Sequence, residues 1–347
     1  MSENASPEPE LEPGNDAGTG EGTGTIPSIH AEDAPEAFAG EEMKEDAAEE
    51  ESGARLNELP GPSGPYLFRE YAFPQQFREE RIPHLGHLCF LSVLFFLGQL
   101  AAIVLFRVAL SYHLFGVSTL HQAVEDIRYT LGSQGTAYLL TFAGALVFFP
   151  LLWRKGLFEG LHWRGATALS HTMRLLGAAS ACFVLAMIDG FLLPGPADAP
   201  IDKVFRSPGA AWTLFAFGIS FAPFFEEIFF RGFLLPALCT AADWIREQAS
   251  HRPAPTLDPN GHPQWSVPSM VIASIFTSVP FALMHAEQTA HAIGPFILLI
   301  CVSLVLCWVR LATRSLASSV LVHACYNFLI FSLMLLGTGG FKHLEKL

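Results

Sequence analysis

Charge is what this sequence has least of. Asp, Glu, Lys and Arg make up 15% of the 347 residues against 51% hydrophobic, a balance that excludes an ordinary water-soluble globule and points to a membrane protein. Basic residues are scarcest at the start, where residues 1–60 hold 2 of the 20 Lys and Arg but 17 of the 33 Asp and Glu. The net charge of -13 is therefore a property of this tail, and no nucleic-acid partner is expected. The tail also has hardly an aromatic residue, so it cannot bury enough apolar surface to offset the entropy of ordering. We expect residues 1–65 to be a disordered, solubilising extension. They lack the basic start, apolar run and small-residue cleavage site of a signal peptide, so the extension is expected to stay on the mature protein, with the first membrane helix acting as insertion signal. Cysteine is sparse too. Cys89, Cys182, Cys239, Cys301, Cys307 and Cys325 form no C-x-x-C pair and sit in or beside apolar runs, which leaves them as small apolar helix residues.

What the sequence does have is long apolar runs. Leu88–Phe106 is long enough for a first span, Ala137–Leu152 for a second and Leu175–Leu193 for a third. Between the first two, 111–135 carries Glu125, Asp126 and Arg128 and is expected to be a loop or surface helix. The second span ends at Trp153-Arg154-Lys155, an interfacial anchor. Asp189, near the end of the third, is expected at the water boundary. The run from Ala210 to Ala241 would reach about 48 Å as one helix, beyond a hydrocarbon core of about 30 Å. Pro223 is the natural break, which predicts two helices, Ala210–Ala222 and Pro223–Ala241. A polar loop over 244–266 precedes Val267–Met284, Ile293–Val309 and Leu316–Leu336. The fold class is thus all-α, a polytopic bundle of seven to eight transmembrane helices. Its segments are 66–204 with three spans, 205–336, and a short C-terminal tail, 337–347.

Three polar clusters interrupt these runs. Glu226 and Glu227 stand together with Arg231 where a charge costs at least ~2.5–3.5 kcal/mol on insertion scales. Glu227 and Arg231 lie four apart on one helix face, carboxylate first, while Glu226 is turned about 100° away. One acid can be neutralised locally and the other is left for chemistry. Phe281 and His285 share a face at the end of the next span, and His323 and Asn327 share one inside the last. Antiparallel packing brings Glu226, His285, His323 and Asn327 to a common depth.

Glu-Glu-x-x-x-Arg, Phe-x-x-x-His and His-x-x-x-Asn, in this order on successive membrane helices, resemble the CPBP intramembrane proteases, which include type II CAAX prenyl endopeptidases and bacteriocin-processing or immunity proteins. The resemblance covers about 205–335 and implies an eight-helix bundle with a membrane-embedded peptidase site. Peptide hydrolysis needs a base for water, an acid for the leaving amine and donors for the oxyanion. Glu226 is the expected base, and His285 holds the same water. His323 and Asn327 are expected to donate to the oxyanion, and Arg231 to hold Glu227. No cofactor is expected. The alternative is zinc on Glu226, His285 and His323, although no H-E-x-x-H pair is present. A transporter using the intramembrane charges and a catalytically silent immunity protein are further alternatives. The expected partners are the lipid bilayer and a peptide or protein substrate presented at it, the expected location the plasma membrane. Oligomeric state is not legible.

Overall fold

The computed structural model describes residues 81–193, 207–251 and 264–342, all within one unit, Arg69–Leu347. The acidic tail, the Pro-rich segment after the third span and most of the 244–266 loop lie outside the described residues. Among those described there are helices and turns but no strand. Seven of the described helices are long and apolar enough to cross a membrane: α1 Leu85–Ser111, α2 Ile127–Trp153, α3 Thr172–Leu192, α4 Pro208–Ser250, α5 Val267–Met284, α6 Ile293–Thr313 and α7 Leu316–Gly337. The chain is an all-α, multi-pass integral membrane protein. Large apolar side chains such as Phe96, Leu151, Phe191 and Trp308 are exposed, as lipid-facing residues of such a bundle must be.

Two expectations are corrected. The stretch 111–135 is not only the expected loop or surface helix: Leu120–Glu125 is a short helix, but α2 already begins at Ile127. Asp126 caps it, its carboxylate accepting from the Arg128 N–H at 2.8 Å and from the Arg128 guanidinium. The charges that suggested a loop are the helix start itself. Nor does Pro223 divide α4, which runs unbroken for 43 residues. Its winding loosens into a π turn at Phe217–Phe221, which moves the preceding carbonyls off the proline ring without ending the helix. At roughly 64 Å, α4 exceeds a hydrocarbon core, and its last turns carry Asp243, Arg246 and Glu247. Excess length is taken up at a polar end, where Asp243 accepts from the Ser266 N–H and from the Ser269 hydroxyl at the start of α5.

Small residues let the helices approach, as association within a bilayer requires. Gly98 on α1 faces Ala137 and Thr141 on α2; a Cβ at Gly98 would lie 2.8 Å from Thr141 Oγ1 and 3.0 Å from the Ala137 carbonyl. On the other side α3, α6 and α7 share a core of Leu175, Ala179, Cys182, Val302, Leu306 and Val322. α4 packs against α1, α2, α5, α6 and α7, so its middle is surrounded by protein. The connection after α2 is tied to the start of α7, where the Leu316 N–H donates to the His162 carbonyl and the Ser315 hydroxyl to that of Arg164.

Candidate active site

Glu227 and Arg231 have no exposed surface. The Arg231 Nη1 donates to Glu227 Oε1 at 2.8 Å, and its Nη2 donates to both the carbonyl (3.1 Å) and the hydroxyl (2.7 Å) of Ser303 on α6. Breaking such a buried pair costs about 3–5 kcal/mol. His323 completes the group, its Nδ1 lying 2.9 Å from Glu227 Oε1. A carboxylate bound by Arg231 only accepts, so Nδ1 carries a proton, and in the neutral form of the ring Nε2 presents a lone pair. That Nε2 is 3.8 Å from Glu226 Oε2.

His285, at the C-terminal end of α5, arrives from the opposite side. Its Nδ1 donates to the Phe281 carbonyl at 2.8 Å, which likewise turns Nε2 to Glu226 Oε2, at 3.8 Å. Phe281 has a second use. The Arg231 guanidinium carbon lies 4.6 Å from its ring centroid, a cation–π contact, and His323 packs on it edge to face at 5.8 Å. The Phe of Phe-x-x-x-His therefore joins all three clusters.

Of the six residues expected from sequence, Glu226, Glu227, Arg231, His285 and His323 meet around one point. Asn327 is on the same face of α7 but is held differently. The π turn sends the Ala222 N–H to the Phe217 carbonyl and so releases that of Gly218, which accepts from Asn327 Nδ2 at 2.8 Å. One amide hydrogen of Asn327 is committed and one remains. Gly218 permits the approach, since a Cβ there would lie 2.7 Å from the Phe331 ring.

Glu226 is still partly accessible. It borders an apolar cavity of about 150 Å³ between α1, α2 and α4, lined by Leu91, Phe95, Phe142 and Phe225, with Tyr138 and Gln134 among its polar members on α2. These two residues and Ser303 went unnoticed in the sequence. A serine, a tyrosine or a glutamine within an apolar run is common helix glue, and no spacing ties them to the motifs. Among the described residues, no three His, Cys, Asp or Glu side chains stand at metal-holding spacing. Zinc bonds of about 2.0–2.1 Å at tetrahedral angles put ligand atoms roughly 3.3 Å apart, and the two pairs here are wider.

The chain finds no match among curated proteins, and none among solved structures. All three motifs and the bundle between them do, however, fall in a segment with a known counterpart: residues 208–329 match the family model of type II CAAX prenyl endopeptidase Rce1-like proteins, the kind of membrane endopeptidase to which the motifs point.

Proposed function

We propose that the protein is an intramembrane endopeptidase in which Glu226 activates water against a peptide bond of a membrane-associated or lipidated substrate. The observation that carries this reading is the convergence of His285 Nε2 and His323 Nε2 on Glu226 Oε2, each at 3.8 Å. That distance is too long for a direct hydrogen bond and is spanned by one shared water. The water oxygen attacks the scissile carbonyl carbon while its proton passes to Glu226. A second N–H of Asn327 supports the oxyanion. His323 has committed its Nδ1 proton to Glu227, so it donates to the reacting oxygens only after taking a proton on Nε2. Collapse breaks the C–N bond, the proton on Glu226 goes to the leaving amine, and an acid and an amine are released. The apolar cavity beside Glu226 holds an apolar side chain or lipid of the substrate, and Glu227, Arg231 and Ser303 keep the catalytic groups in register.

Zinc is the second reading, favoured by one feature: both imidazoles donate Nδ1–H to a fixed oxygen, as zinc-bound histidines do. It requires the three side chains to close by roughly 0.5 Å. The test uses the purified protein in nanodiscs with quenched peptides, with and without an S-farnesyl cysteine. The wild type is expected to cleave with chelator present, and Glu226→Gln to leave no measurable turnover while melting as the wild type does. Activity lost on chelation and restored by zinc moves His285 and His323 from proton handling to ligation; undiminished cleavage by Glu226→Gln overturns the mechanism. Cell fractionation checks the plasma membrane as location.

A further inference from the structure

α4 loosens into π geometry twice, at Phe217–Phe221 and Ile228–Leu234, and the residue that caps each loosened turn precedes a proline, Ala222 before Pro223 and Leu235 before Pro236. A proline inside a helix lacks the N–H, and its ring crowds the carbonyl four residues back. One extra residue in the turn relieves the crowding but releases one carbonyl from the ladder. At the first turn that carbonyl is Gly218's, held by Asn327. At the second, the Leu235 N–H donates to Phe230, and the carbonyl released is that of Arg231. A buried carbonyl without a donor costs about 1–3 kcal/mol. The donor here is Arg310 on α6, whose Nε reaches the Arg231 carbonyl at 3.2 Å while its Nη2 reaches that of Leu161 at 3.3 Å.

Arg310 is 3% exposed, and these hydrogen bonds go to main-chain carbonyls rather than to a carboxylate. It lies two turns beyond Ser303 on the same face of α6. α6 thus grips Arg231 at both ends: Ser303 takes the guanidinium, and Arg310 the carbonyl. Residues four apart share a face in α geometry too, so a π turn that rewinds to α keeps Arg231 on the Glu227 side of α4 but changes the angle at which the two side chains meet.

We propose that Arg310 is a positioning residue of the active site: by holding the Arg231 carbonyl it fixes the second π turn of α4 and thereby the angle at which Arg231 meets Glu227 and Glu227 meets His323. Arginine suits the place because one planar fork spans two carbonyls, which an ammonium does poorly.

The effect on turnover rests on the peptidase reading; the effect on the helix does not, so both are measured. Arg310→Met, Arg310→Gln and Arg310→Lys are compared with the wild type in nanodiscs by hydrogen exchange of peptides covering 228–236, by thermal melting, and by kcat and KM on the peptide that the wild type cleaves. Arg310→Met is expected to exchange faster in that stretch and to lose about tenfold to a hundredfold in kcat per folded molecule, the size of effect that a misplacement of about 1 Å produces, with KM within about twofold. Arg310→Gln, which keeps one donor, and Arg310→Lys should recover part of both. Wild-type exchange in Arg310→Met overturns the proposal. So does activity that tracks only the folded fraction in all three variants, or failure of all three to fold. A wild type that cleaves no peptide counts against the peptidase reading alone, and the exchange data still decide whether Arg310 holds the turn.

Discussion

Glu226 and Glu227 are neighbours in sequence, and burial separates their work. Glu227 is completely enclosed and spends one oxygen on both Arg231 and His323. Glu227→Gln leaves the Arg231 cation without a counter-charge, so melting in detergent should fall by an amount corresponding to about 3–5 kcal/mol, whereas Glu226→Gln should melt near the wild type. Equal melts would remove the distinction. Beside the oxyanion role proposed for Asn327, the structure gives it a hydrogen bond to the Gly218 carbonyl. Asn327→Ala should lower kcat by roughly 100- to 1000-fold and, because the Gly218 carbonyl loses its donor, lower stability by about 1–3 kcal/mol. Asn327→Asp should be at least as harmful, since an ionised carboxylate repels both the oxyanion and that carbonyl. Kinetics and melts on the same samples separate the tasks, and a rise in KM alone would make Asn327 a substrate contact.

At the scale of elements, the close approaches decide. Gly218→Ala places a methyl group 2.7 Å from the Phe331 ring, so α4 and α7 must part or the ring must move, at a cost of about 1–3 kcal/mol. A melting curve unchanged from the wild type would show that the crossing has room. The start of α2 is governed by charge. The Arg128 hydrogen bonds hold the Asp126 carboxyl below its ordinary value of 3.8. A lowered folded value means that this stabilisation is complete above the unfolded value and is lost as acid takes the pH down through the folded one. Exchange of the first turn of α2, taken relative to the intrinsic rate at each pH, should therefore rise in the wild type below about pH 4, and in Asp126→Asn should be flat across that range, because the amide still caps the helix but does not titrate.

For the molecule as a whole, the seven membrane helices found among the described residues and every motif residue lie between Leu85 and Gly337. Removal of residues 1–60 is therefore expected to leave insertion, melting temperature and hydrolysis unchanged. A truncated protein that fails to insert would give the acidic tail a part in folding. The bundle divides its work in a similar way, with α3, α6 and α7 forming one packed core and α1 and α2 another. α4 runs between them with the carboxylates at its middle, away from either end.

The sequence by itself determined the fold class, most of the spans and the residues proposed for the site. Apolar runs have to be helices in a bilayer, and Glu226, Glu227, Arg231, His285, His323 and Asn327 stood out because polar groups there are costly and a local i, i+4 spacing fixes which of them share a face. Tertiary structure alone decided what those groups touch. The Pro223 break failed because proline ends a helix only where nothing takes over its lost hydrogen bonding, and here a π turn and an amide from another helix do so. Ser303 and Arg310 were invisible for the same reason. Their partners are a guanidinium and a carbonyl about 70 to 80 residues away in the chain, and no local pattern marks a side chain whose partner reaches it only when the bundle packs.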